Sequence, residues 1–302
     1  MKLLYLVTRP RPFFESQVTV LRDRGHSITV LEVPGREKQT DSRGIADYLR
    51  FYPGVLSESM KEYDLIHANY GNTLPFALFQ PIRPVVVTFW GSDLMGPAAS
   101  VLKPLSTRVD EVILPSPVMT ETYDGDYTVV PFGVDTELFC PIDKQKARAE
   151  LGWNQDATIA LFPYARSRAV KNYSLAENIT ETVSHNVEIK TIHDVAYTRV
   201  PLYMNASDLV LLTSERESGP MVVKEAALCN VPVVSTNVGF VEDVLSDVTN
   251  SFVCDSEQEL RARVQQVLET GERSDGRQQI NDAVSLDEMR RQLCEVYERA
   301  LE

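Results

Sequence analysis

Cysteine is sparse in this 302-residue chain, and Cys140, Cys229, Cys254 and Cys294 lie far apart with no C-x-x-C pair. That spacing excludes a disulfide framework and reads as reduced thiols. Histidine is as scarce, at four copies without metal-ligand spacing, so no metal site is expected. G-x-G-x-x-G occurs nowhere, which argues against a dinucleotide-dependent oxidoreductase. No apolar run approaches the roughly 18 residues of a membrane span. The first run, Leu3 to Val7, is too short for a signal peptide and is followed by Arg9 and Arg11. Basic residues are outnumbered 43 to 30, a net charge of −13, and contact with a phosphate backbone needs a basic face. Nucleic acid is therefore excluded as a main partner. The expected location is cytoplasmic, with a peripheral contact at the inner face of a membrane left open.

What is present is an ordinary globular composition, 43% apolar and 24% charged, in a chain longer than one core usually serves. Short apolar runs alternate with helical patterns, which predicts an α/β fold. Strands are expected at 2–7, 27–33, 64–68, 84–89, 111–114 and 127–130, then at 158–162, 187–192, 209–212, 231–235 and 252–254. Helical patterns stand at 13–24, 143–151, 241–245 and 256–270, and 271–279 reads as a polar linker. From Ser285, with Glu288 at capping-box spacing, Leu286, Met289, Leu293, Val296, Tyr297 and Ala300 recur as a helix stripe.

The most informative stretch runs from Ser214 to Gly239. A buried-strand pattern at 209–212, a polar loop, a helix-like segment from Met221 and a second strand form a βαβ unit. Its ligand side is the carboxyl end of the strands. Glu217 on the loop and Glu225 about one turn into the helix form an E-x7-E pair able to line one crevice. Between them lie Gly219, Met221 and Val222, whose free backbone N–H groups face a helix N-terminus, with Pro220 in the first turn. Acids suit hydroxyls and the helix end suits negative charge, so a sugar nucleotide satisfies both.

The run Glu217-Ser218-Gly219-Pro220-Met221-Val222-Val223-Lys224-Glu225-Ala226 resembles E-G-S-P-N-V-V-K-E-A of the retaining glycosyltransferase family 4 (group 1 glycosyltransferases). The small pair is inverted and Met221 stands for Asn. Five further segments follow the family, and in one of them, Val200 to Asp208 on V-P-x-Y-M-N-A-S-D, Tyr203 and Asp208 read as packing and capping residues. Asp64 to Asn69 resembles D-V-V-H-A-H, keeping His67 with Asn69 for the second His. Pro84 to Asp93 resembles P-V-V-x-T-x-H-G-x-D, keeping Gly91 and Asp93 with Trp90 for the His. Val129 to Phe139 resembles V-I-P-N-G-V-D-x-x-x-F, and Ala165 to Asn172 resembles G-R-L-x-x-x-K-G through Arg166 and Lys171.

The resemblance implies the GT-B fold, two Rossmann-like domains with parallel sheets facing a central cleft. The expected division is 1–139 on the acceptor side, 140–284 for the nucleotide sugar, and a helix at 285–302 crossing back to the first domain. It also implies a retaining transfer from a nucleoside-diphosphate sugar to a hydroxyl of a glycan or lipid-linked acceptor, without metal or cofactor. Arg166 and Lys171 would stabilise the departing diphosphate, Glu217 would face the sugar, and Glu225 would hold the ribose with Gly219, Met221 and Val222 alongside. His67, Trp90, Gly91 and Asp93 are candidates for the acceptor or cleft side, although His67 and Asp93 also suit packing and turn roles. Thr8 to Phe14 forms a basic, aromatic loop able to meet an anionic lipid-linked acceptor. Two rivals stay open: a non-catalytic sugar-nucleotide-binding subunit and a GT-B sugar-nucleotide epimerase.

Overall fold

The computed structural model describes residues 1–35 and 43–302, and these divide into two compact units. One comprises 1–133 with 286–302, the other 134–285.

The first unit holds six parallel strands: β1 (Lys2–Val7), β2 (Ser27–Glu32), β3 (Leu65–Asn69), β4 (Val85–Thr88), β5 (Glu111–Leu114) and β6 (Thr128–Val129). Their order is β2-β1-β3-β4-β5-β6. Leu3 through Val7 are all fully buried, because helices cover both faces of a parallel sheet and leave no side to alternate with water. The helix Leu286–Leu301 buries Met289, Leu293, Val296 and Tyr297 in the same apolar cluster as Leu3, Tyr5 and Phe14.

The second unit holds β7 (Thr158–Phe162), β8 (Val187–Thr191), β9 (Leu209–Leu212), β10 (Val233–Thr236) and β11 (Phe252–Cys254), again all parallel, in the order β11-β10-β9-β7-β8. The chain runs outward from β7 to β8, then returns to the other side of β7 for β9. Such a reversal opens a crevice at the carboxyl ends of the two central strands. Here it brings the loop after β7 beside the loop after β9.

Three departures from the sequence reading have physical causes. The stretch read as a linker, 271–279, runs into the helix Gly276–Val284, whose buried side is only Gly276, Ile280 and Val284. It sits so close to the helix Met221–Leu228 that a Cβ on Gly276 would lie 2.6 Å from the Ala227 carbonyl oxygen. The helix Ile45–Glu58 was not anticipated because it carries Pro53 in its interior. Asp208, expected to pack or cap, instead accepts from Arg148 at 2.9 Å, Lys144 at 2.8 Å and the Ile159 N–H at 2.7 Å.

Candidate active site

The carboxyl ends of β7 and β9 carry a cluster around Glu217. Tyr164, two residues past β7, donates its hydroxyl to Glu217 Oε1 at 2.9 Å, and Ser214 Oγ donates to the same oxygen at 2.9 Å. Lys171 forms an ion pair with that carboxylate, and its Nζ also lies 4.0 Å from the centre of the Tyr164 ring. The lysine is held there by the short turn Ala169–Lys171 and by Thr213 Oγ1, which donates to the carbonyls of Lys171 and Asn172. Lys171 is almost wholly buried. Desolvation lowers its pKa, with Glu217 acting in the opposite sense. Burial also pushes the Tyr164 hydroxyl well above its ordinary range, with the Glu217 charge adding to the shift, so it stays a donor.

Arg166 does not join Lys171 as expected. It is exposed, with its guanidinium 4.6 Å above the ring of Tyr173. Arg168, exposed as well, is the loop arginine beside the cluster, with its guanidinium 5.6 Å from the Tyr164 ring centre. The five-residue offset is thus kept in sequence, but the loop turns Arg166 toward Tyr173 and Arg168 toward the ring of Tyr164.

Glu225 lies one turn into the helix Met221–Leu228 and is almost fully buried. Its Oε1 accepts from the hydroxyl of Tyr197 at 2.7 Å, carried on the short turn Tyr197–Arg199. Desolvation pushes the carboxyl up to about 7, opposed by the Tyr197 bond. The first hydrogen bond of this helix runs from Val223 N–H to the Pro220 carbonyl at 3.1 Å. The amides of Met221 and Val222 therefore stand ahead of it at the positive end of the helix. Gly219 meets the ring of Phe240, and a Cβ there would lie 2.3 Å from a ring carbon. Gly239, at φ +59°, lets the chain turn beside Pro220 and Gly219.

Neither tyrosine was singled out from sequence. Their signal was positional, since Tyr164 and Tyr197 both follow strands on the ligand side of the sheet.

In the first unit, His67 is fully buried, with Nδ1 2.8 Å from the Tyr297 hydroxyl and Nε2 2.8 Å from Thr88 Oγ1. Burial lowers its pKa to about 3, so the ring is neutral. Both nitrogens are engaged in packing and neither is presented to a ligand, which corrects its place among the cleft candidates. Asp93 is likewise buried and holds a turn: its carboxylate accepts from the backbone N–H groups of Gly71, Trp90, Gly91 and Leu94 at 2.7–3.1 Å. Desolvation raises it to about 6 against those bonds. Gly91 adopts φ +111° to complete that turn. Trp90 is half-buried, donates Nε1–H to Asn69 Oδ1 at 3.1 Å, and packs its ring against Phe13 and Tyr70.

Residues 171–283 match the family model described as Glycosyl transferases group 1. The fold matches sucrose-phosphate synthase from Thermosynechococcus elongatus with a TM-score of 0.80 at 13% identity, covering 99% of this chain and 98% of that one. It matches Anabaena HepE, solved in complex with UDP and glucose, with a TM-score of 0.76 at 20% identity over 99% of each chain. By sequence, 158 residues are 26% identical to D-inositol 3-phosphate glycosyltransferase of Paenarthrobacter aurescens, covering 42% of this chain and 39% of that protein. A stretch of 49 residues is 41% identical to N-acetyl-alpha-D-glucosaminyl L-malate synthase of Bacillus anthracis, covering 16% of this chain and 13% of that protein. The segment 171–283 is thus similar to the group 1 glycosyltransferases and the fold is the GT-B fold of the matched structures, in agreement with the resemblance carried by the motifs. Among the described residues, no helix is long and apolar enough to cross a membrane.

Proposed function

We propose that this protein is a retaining glycosyltransferase that moves a hexose-type sugar from a nucleoside-diphosphate donor to a hydroxyl of a glycan or lipid-linked acceptor. The observation that carries the reading is the pairing of Lys171 with Glu217 beside the helix N-terminus, one helical turn from the buried Glu225. Each feature answers one part of such a donor. Glu225, oriented by Tyr197, accepts from the ribose hydroxyls, and the amides of Met221 and Val222 meet the diphosphate. Glu217, held by Tyr164 and Ser214, accepts from hydroxyls of the transferred sugar.

As the glycosidic bond breaks, negative charge gathers on the departing β-phosphate. Lys171 and Arg168 supply positive charge on that side, where a fixed cation acts more strongly on the transition state than on the bound donor. The acceptor hydroxyl attacks on the face the diphosphate leaves, and a diphosphate oxygen takes its proton. Retention of anomeric configuration follows from that same-face geometry. With two cations and a helix end opposing the charge, activity is proposed to persist after exhaustive chelation.

The test is turnover of Lys171→Ala with a set of nucleoside-diphosphate glucoses, read as donor hydrolysis until an acceptor is known. The expected loss in kcat is on the order of 10²–10³-fold, with a smaller change in donor KM. Near-native turnover would remove the diphosphate assignment of Lys171, and binding without any turnover in the native protein would leave a binding subunit. Formation of an isomeric nucleotide sugar without acceptor would establish the epimerase instead.

A further inference from the structure

The bonds to Glu217 are one-sided. Tyr164, Ser214 and Lys171 all donate to Oε1, and among the described residues none donates to Oε2. An ionised carboxylate accepts through both oxygens. Three donors on one oxygen fix the group and leave the other oxygen without a protein partner.

Of the three donors, Lys171 has a second role in the reading given above. Its charge serves the departing diphosphate while Glu217 serves the sugar, so two side chains that meet in the free protein address different parts of one ligand. Tyr164 engages the polar ends of both. Its hydroxyl donates to Glu217 Oε1 at 2.9 Å, and its ring lies beneath Lys171 Nζ, 4.0 Å from the centroid. The guanidinium of Arg168 lies over the same ring at 5.6 Å, so both cations assigned to the diphosphate share one aromatic side chain. The ring itself is braced edge-to-face by Phe162 at the end of β7, with centroids 5.7 Å apart.

We infer that Tyr164 is the positioning residue of the donor site: its hydroxyl sets Glu217 for the transferred sugar, and its ring holds Lys171 and Arg168 beside the diphosphate. The inference rests on the glycosyltransferase reading. The two ends of the side chain suit these tasks differently. A hydrogen bond is directional, so the hydroxyl fixes the carboxylate and with it the direction of Oε2. A cation is attracted to a ring anywhere within about 6 Å of the centroid, so Lys171 can turn from Glu217 to a phosphate oxygen without leaving the ring. When it turns, the hydroxyls of Tyr164 and Ser214 still hold Oε1.

Two substitutions in the full chain separate the two ends. Tyr164→Phe keeps the ring and its contact with Phe162 and removes the hydroxyl, whereas Tyr164→Leu removes both. With a nucleoside-diphosphate glucose that the native protein turns over, Tyr164→Phe should lower kcat on the order of tenfold and leave affinity for the bare nucleoside diphosphate within about twofold. Tyr164→Leu should lower kcat further and also weaken the bare diphosphate by about three- to tenfold. In a Glu217→Gln background, Tyr164→Phe should cause no further fall in kcat, because the hydroxyl acts through that carboxylate. A tyrosine that served only the packing would lower both backgrounds alike. Calorimetric melting identifies a folding defect, and Tyr164→Met takes the place of the leucine variant if that one does not fold. Native kcat in Tyr164→Phe, equal falls in the two backgrounds, or an unchanged diphosphate affinity in the variant without the ring overturns the inference alone. A native protein that turns over no nucleotide sugar removes the glycosyltransferase reading and the inference with it.

Discussion

Replacing Lys171 by methionine keeps most of its volume and removes its charge from beside Glu217. Both side chains are largely shielded, with 4% and 12% of their surface accessible, so solvent does little to screen the loss. Stripping one partner from a buried pair costs about 3–5 kcal/mol when the remaining charge is left bare. Glu217 is not left bare, because the hydroxyls of Tyr164 and Ser214 still donate to it. Those hydroxyls partly solvate the carboxylate in place of the ammonium, which puts the expected loss at or just below the low end of that range, about 2–3 kcal/mol. For a unit of about 150 residues that corresponds to a fall in Tm of roughly 5–10 °C. Glu217→Gln alone should also destabilise, since it leaves the buried ammonium unpaired. The double variant should recover most of the loss, because removing both charges of a buried pair is close to neutral. Calorimetry of the four proteins without ligand reads the coupling directly. A Lys171→Met protein melting within about 1 °C of the native one, or strictly additive losses in the double variant, would show that the pair does not stabilise the site.

Glu225 gives a pH dependence of defined sign. Its carboxyl is raised from 4.5 to about 7, so its contribution to stability is present below 4.5 and is lost as the pH rises through about 7. The affinity for a bare nucleoside diphosphate, which needs the ionised form, should rise through the same interval, and calorimetric titration of Glu225→Gln should show that rise flattened. Glu225→Ala should weaken that binding by about 1.5–3 kcal/mol while Glu217→Ala leaves it nearly unchanged and lowers turnover; equal losses would contradict the division of roles. Gly219→Ala forces a Cβ into the Phe240 ring and should cost about 1–3 kcal/mol by thermal melting, with Phe240→Leu in the same protein recovering part of it. If the second substitution recovers nothing, the loss comes from another source.

The order and type of most elements were legible because buried parallel strands write themselves as short apolar runs, as Leu209–Leu212 does. Glu217 and Glu225 were legible for a similar reason: the loop and the helix start that hold them are contiguous in sequence. Tyr164 and Tyr197 were not, because each meets its acid across tens of residues of intervening chain, and a lone tyrosine after a strand has no distinguishing spacing. Arg166 and Arg168 show a finer limit. Both sit on one polar loop, and which of them approaches Tyr164 depends on backbone angles that letter spacing does not encode. For His67 the segment left packing and ligand roles both open, because the ring is enclosed by Thr88 and by Tyr297, which is 230 residues away.

That enclosure sets the order in which the molecule can be completed during synthesis. Tyr297 bonds both His67 and Tyr5, the latter across 292 residues, inside the core of the first unit. The second unit is continuous in the chain and has every residue it needs once Ser285 has left the ribosome. The first unit has all its strands by Val129 but must wait for the helix Leu286–Leu301 before the Tyr5 and His67 side chains find their partner. The portion translated first is therefore finished last, and its nascent sheet spends the interval with two polar groups and an apolar face uncovered. A chaperone that shields the emerging strands would act on this window.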